Sequence, residues 1–316
     1  MPGPIGVRKR TIPLWGKALL LFVSLVMAAE AGNLLSVQMT FSRFWPPAGL
    51  FLAILLISDR RDWPVLILAA VAANLASDLM NGRALLMTLG FSTANALEAV
   101  TGATLVGRLI GHRPKLDSLR QVLAFTTIGA MLAPVVGATA GTAVVMLGVP
   151  GANWWTTWPT WWIGDVLGIV LVGSVVLAGI GWWDGYRESA RADLRTRLMP
   201  FARAVAVAVP FAVLAFVVFG AAGGATSWKF LVTPGYLAAG MLGGPFGASA
   251  GLLVIAMGAI AGMVRGRPLV GPRFLRGGAQ RVPGAGLLRR RRHRDAGAGR
   301  SDRREPQERR ECRGCC

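Results

Sequence analysis

Apolar positions in this chain fall into long blocks, most of them near or above the ~20 residues that carry a helix across a bilayer. The first block runs from about Trp15 to Val37. A second starts at Pro46 and ends near Ser58, at the charged turn Asp59-Arg60-Arg61-Asp62. Trp63-Pro64 opens a third, to about Leu79, and a fourth covers about Ala84 to Ile110. A fifth spans about Gln121 to Leu147, where Pro134 predicts a kink. The sixth covers about Trp161 to Trp183, and the seventh about Phe201 to Gly220. Trp228 to Val264 is mostly apolar but broken at Gly243-Gly244-Pro245, which reads as two helices or one interrupted helix. No run of strictly alternating ten-residue segments occurs, which argues against an outer-membrane barrel. The pattern predicts an all-α polytopic membrane protein, a bundle of about eight to nine transmembrane helices. A signal peptide competes for the first block, because Ala18–Ala29 is short and Ala29-Glu30-Ala31 resembles a cleavage site. The apolar pattern continuing through Leu34, Leu35 and Val37 favours a retained span.

Composition agrees: of 316 residues, 53% are hydrophobic and 16% charged, far from a soluble domain. The net charge of +19 would suggest nucleic acid until it is located. Residues 265–316 hold 16 Arg, no Lys and 5 acids, and most other basic residues lie between the apolar blocks. Arg60 and Arg61 follow span two; Arg113, Lys115 and Arg120 follow span four; Arg187, Arg191, Arg195 and Arg197 follow span six. The loops after spans three, five and seven carry Arg83, no basic residue, and Lys229. By the positive-inside rule this alternation puts the N-terminus in the cytoplasm of a bacterial inner (plasma) membrane, with no nucleic-acid partner.

The chain divides into a basic cytoplasmic N-terminus (1–14, with Arg8, Lys9 and Arg10), a membrane domain (15–264) and an arginine-rich tail (265–316) expected to be disordered. Two full crossings between 228 and 264 would leave that tail outside, against the charge rule. A reading-frame shift near Arg265–Arg273, replacing a last span, accounts for this; a natural tail bound to anionic lipid is the alternative. The three cysteines, Cys312, Cys315 and Cys316, all lie in the tail, and one CxxC without histidines is a weak metal signal. No metal or cofactor is expected.

Phe44-Trp45-Pro46-Pro47-Ala48-Gly49 stands out. Two prolines open a helix better than they continue one, and a preceding Trp suits a membrane–water boundary. Ionisable residues inside spans cost a few kcal/mol and mark candidate sites. Here they are Glu30, Asp78, Glu98 and Asp165, accompanied by Asn33, Asn74 and Asn95. Asn74 and Asp78, and Asn95 and Glu98, share helix faces by spacing. With the N-terminus inside, Asp78 and Asp165 fall near outer helix ends, while Glu98 and Asn95 lie near the middle. Trp45, Asn74, Asn95, Glu98, Trp161, Asp165 and Glu30 are therefore expected to converge on a polar, aromatic-rimmed cavity open to the outside. The competing reading is helix–helix adhesion by Asn and Glu, with Asp78 simply wet. No catalytic residue is expected: His112 and His293 lie outside the spans, and no nucleophile elbow, P-loop or kinase box occurs.

Four motifs occur in order: Phe44-Trp45-Pro46-Pro47-Ala48-Gly49; Trp63-Pro64 with Asn74; Asn95-Ala96-Leu97-Glu98 with Gly102-Ala103; and Trp161-Trp162-Ile163-Gly164-Asp165 with Gly168. Together they resemble the first class of membrane-associated sensor (MASE) domain of bacterial signalling proteins, over roughly Trp15 to Val264. The resemblance implies a sensory input domain preceding a diguanylate cyclase, a phosphodiesterase or a histidine kinase, in cyclic di-GMP or two-component signalling. It implies no enzymatic activity without that output. It supplies no ligand, so the partners are the bilayer and a small-molecule or physical signal, with a homodimer left open. The alternative is a transporter or substrate-capture component using the buried carboxylates, which a broken helix at Gly243-Gly244-Pro245 would suit. A membrane-embedded enzyme is third.

Overall fold

A computed structural model describes residues 13–36, 44–189, 206, 209–214, 218 and 232–264. Helices carry nearly all of them, and no strand occurs among the described residues. They are α1 (Leu14–Ser36), α2 (Pro46–Ile57), α3 (Trp63–Met80), α4 (Leu85–Ile110), α5 (Leu119–Gly148), α6 (from Trp154 to Ser189) and α7 (Val232–Val264). The expected seventh span falls largely outside the described residues, of which 209–214 are helical. The tail 265–316 lies outside them entirely.

Among the described residues five helices are long and apolar enough to cross a membrane: α1, α3, α5, α6 and α7. The 26-residue α4 has the length but is too polar to qualify. Its position explains why. It packs against α2, α3, α5 and the π-helical part of α5, burying Thr88, Ser92 and Glu98 while Leu86 and Leu97 face outward. A helix enclosed by others keeps its polar groups inward and its leucines toward lipid.

The second expected span needs correction. α2 has 12 residues, about 18 Å of rise against a hydrocarbon core of ~30 Å. It is apolar all round because it is enclosed all round, with Leu52, Ala53, Leu55 and Leu56 no more than 1% exposed. Leu21, Leu25, Leu66, Ala103, Val106 and Ile169 pack with them in the main core. The end of α2 is fully capped. The Trp63 indole donates to the Leu55 carbonyl (3.0 Å). The Arg113 backbone N–H donates to Leu56 (3.1 Å), and Arg113 Nε to Ile57 (2.9 Å).

These contacts gather the basic loops at one end. Lys17 bridges to Asp62 at 2.8 Å, joining the start of α1 to the α2–α3 turn. Arg113 joins the α4–α5 loop to α2, and Gly181 of α6 lies against Lys115. The α3–α4 and α5–α6 connections occupy the opposite end.

One boundary differs from expectation. α6 begins at Trp154, seven residues before the expected start at Trp161, so Trp154, Trp155 and Trp158 form its first turns, capped by the Asn153 side chain accepting from Trp155 N–H (2.9 Å). Around Pro134 the helix continues. The residues before it, Phe125–Leu132, widen into a π-helix, which accommodates a ring that would otherwise strike the preceding turn. In α7 Gly244 adopts φ 59°, ψ −147° and reverses the chain. Gly247 then meets Ala239, Gly251 meets Tyr236, and Phe246 stacks on Trp182 (5.6 Å). Though α7 has the length of a span, it is a hairpin of two arms.

Candidate functional site

The site begins with the double proline. A residue before proline is pushed to extended backbone, and Trp45 sits at φ −115°, ψ 82°. Pro46 and Pro47 then fill the first helical positions, where no N–H is needed. Trp45 N–H donates instead to the Gly164 carbonyl of α6 (3.2 Å). Small residues let the two backbones touch. A methyl group at Gly49 would lie 2.7 Å from the Gly173 nitrogen, and one at Gly168 would run into the Trp45 carbonyl. The start of α2 thus docks on α6 beside the π-helical Ile169–Gly173. Trp45 is no boundary anchor, as the sequence suggested; it is half-buried deep in the bundle.

Depth brings the acids together. Because α6 starts at Trp154, Asp165 lies about three turns in, and Glu98 lies between three and four turns into α4 from the same end. Asp165 is therefore not near an outer helix end; it shares the mid-depth of Glu98. Their carboxyls adjoin each other, and the Trp161 indole adjoins Asp165. Both residues are buried, at 3% and 2% exposure. Glu98 Oε2 and Asp165 Oδ2 have no hydrogen-bond partner among the described residues. α5 makes room: a methyl group at Gly137 would collide with Glu98 Oε2, and one at Gly141 would lie 2.7 Å from Trp161 Cε2.

Above this pair is a cavity of about 560 Å³. Trp45, Asn74, Asn95, Trp161 and Asp165 line it, as do Asp78, Arg83 and Phe91. It lies toward the end holding the α3–α4 and α5–α6 connections. A second space of about 20 Å³, bordered by Asn74, Asn95 and Glu98, is large enough for one water. Near the mouth Arg83 bonds Asp78 Oδ1 at 3.0 Å, and its guanidinium lies 5.8 Å from the Phe91 ring centre. Asp78, which the competing reading left wet, is 2% exposed with Oδ2 unpartnered among the described residues. Phe91 meets Trp161 edge-on, with centroids 5.1 Å apart.

Six of the seven expected residues are gathered here; Glu30 is not. Its carboxylate accepts from Ser77 (2.5 Å) and Asn81 (3.0 Å) of α3, and Asn33 also reaches Ser77 (3.5 Å). That is adhesion between α1 and α3. Trp158 and Trp162 stack on each other (6.1 Å) and bond to α5 at Thr139 and Met131, away from the cavity. Sequence reasoning missed Arg83 and Phe91. It also missed Gly137 and Gly141, although their four-residue spacing is a small-residue packing signal.

The MASE1 family model, describing the membrane-associated sensor domain 1, matches residues 17–271. The chain belongs to the MASE1 family. MASE1 is a membrane sensory domain of signalling proteins, and the apolar helices agree with a multi-pass membrane protein. No curated protein and no solved structure matches the chain. In this MASE1 domain residues of the four sequence motifs lie together: Trp45, Asn74 and Asn95 border both spaces, Trp161 and Asp165 the larger and Glu98 the smaller, and the Trp63 indole holds the far end of α2. No cluster of potential metal ligands occurs among the described residues.

Proposed function

We propose that this chain is the input domain of a bacterial signal-transduction protein, set in the inner membrane with its basic end and N-terminus in the cytoplasm. Its output partner is of the diguanylate cyclase, phosphodiesterase or histidine kinase type, and the sensory domain itself catalyses nothing. The observation carrying this reading is the position of α2. One end, at Trp45, borders the cavity; the other is fastened to Trp63 and Arg113 among the basic loops. A ligand binding two positions of α2 with different affinity would shift their populations and displace the loops at the basic end.

The broken helix that would suit a transporter contributes no residue to the cavity. The test is to add, after residue 271, one transmembrane helix that returns the chain to the cytoplasm, then a diguanylate cyclase in frame, and to measure cellular cyclic di-GMP. Trp45→Ala and Asp165→Asn, at unchanged membrane abundance, should each shift the output severalfold. Output indifferent to both substitutions would sink the proposal.

A further inference from the structure

The cavity's chemistry points to the class of ligand, an inference that rests on the sensory reading of the same site. Its walls are aromatic: Trp45, Phe91 and Trp161. Its charges are unequal: Asp78 and Asp165 line it, and among the described residues Arg83 is the single basic one doing so. Arg83 is already engaged by Asp78. Asp165 therefore has no cation facing it in the cavity, and behind it is another acid, Glu98. Asp78 Oδ2 and Asp165 Oδ2 belong to side chains 2% exposed and lack hydrogen-bond partners among the described residues. Carboxyls crowded in a low-dielectric interior favour a positive charge between or beside them. Aromatic faces in the same space add cation–π attraction.

The protein also supplies a pattern for the complex. At the mouth, the Arg83 guanidinium is held between a buried carboxylate at 3.0 Å and an aromatic face, its Cζ 5.8 Å from the Phe91 centroid. Deeper in, Asp165 with Trp161 and Trp45 repeats that combination of acid and aromatic with no resident cation. We propose that the cavity binds an organic cation, an amine or guanidinium carrying an apolar group, with Asp165 as its counter-charge and Trp45 and Trp161 as its walls. Asn74 and Asn95 offer carbonyl oxygens to its remaining N–H donors. Arg83 at the mouth is a competing charge: it occupies Asp78 and repels an entering cation.

The probe is phenethylamine, titrated calorimetrically into the full chain in phosphatidylcholine nanodiscs, with empty nanodiscs as the blank. Its neutral isostere is 2-phenylethanol. Saturable binding roughly tenfold tighter for the amine is expected. Asp165→Asn should remove that preference, and Arg83→Gln should raise amine affinity severalfold by removing the competing charge. Equal binding of amine and alcohol, or a preference that Arg83→Gln lowers, overturns the inference. If Asp165→Asn fails to fold, the wild-type comparison and Arg83→Gln still decide. Amine binding that leaves the cyclase output of the fusion unmoved would defeat the sensory reading and spare the ligand class. Output sensitive to Trp45→Ala without amine preference would do the reverse.

Discussion

Gly168 shows how much of this site depends on atoms that are missing. Its Cα faces the Trp45 carbonyl with no room for a methyl group, and both neighbours are backbone, which cannot turn aside as a side chain could. Gly168→Ala should therefore destabilise the domain by about 1–3 kcal/mol, read as a lower thermal midpoint in detergent. Gly107→Ala, where nothing lies within 4 Å of the added carbon, is the matched control and should be neutral or slightly stabilising. An unchanged midpoint for Gly168→Ala would mean that α2 is not seated on α6 as described. At this scale the sequence was half legible. Glu98 and Asp165 announce themselves because charge inside an apolar block is rare. The residues that make room for them, Gly137 and Gly141, carry no chemistry and are lost among 41 glycines. Arg83 looked like loop charge, since its partner Asp78 seemed exposed at a helix end.

Among the elements, α2 is the one whose two ends do different things. Its last three carbonyls are taken by Trp63 and Arg113, so movement at Trp45 reaches the α4–α5 loop through a single short helix. Arg113→Ala removes the side-chain bond to Ile57, worth about 1–2 kcal/mol, while its backbone bond to Leu56 remains. In the cyclase fusion, Arg113→Ala should weaken the response to Trp45→Ala, and amide exchange should quicken at the end of α2. A full response would show that coupling runs by another route. Helix positions were legible to within a few residues because apolar blocks and prolines mark them. The start of α6 was not. Tryptophans are common both at membrane boundaries and on buried helix faces, and only packing tells Trp161 from Trp158. The length of α2 was legible, but its meaning was not: a 12-residue apolar run reads the same whether it borders lipid or is wrapped by protein.

For the whole molecule, the proposed sidedness rests on the gathering of Lys17, Arg60, Arg61, Arg113 and Lys115 at one end. With the three native cysteines replaced, single cysteines at Arg61 and Gly151 should label from opposite faces of the membrane, Arg61 from the cytoplasm and Gly151 from outside. Labelling of both from one face would refute the proposed orientation. The shortness of α2 also bears on how the chain is made. Twelve residues cannot hold a bilayer on their own, and the unpaired backbone before Pro46 would cost several kcal/mol in lipid. Trp45 N–H finds its acceptor only at Gly164, more than a hundred residues later. Ribosomes deliver Gly164 long after α1 and α3, so the central helix is synthesised second but gains its docking partner only when the chain is about half made.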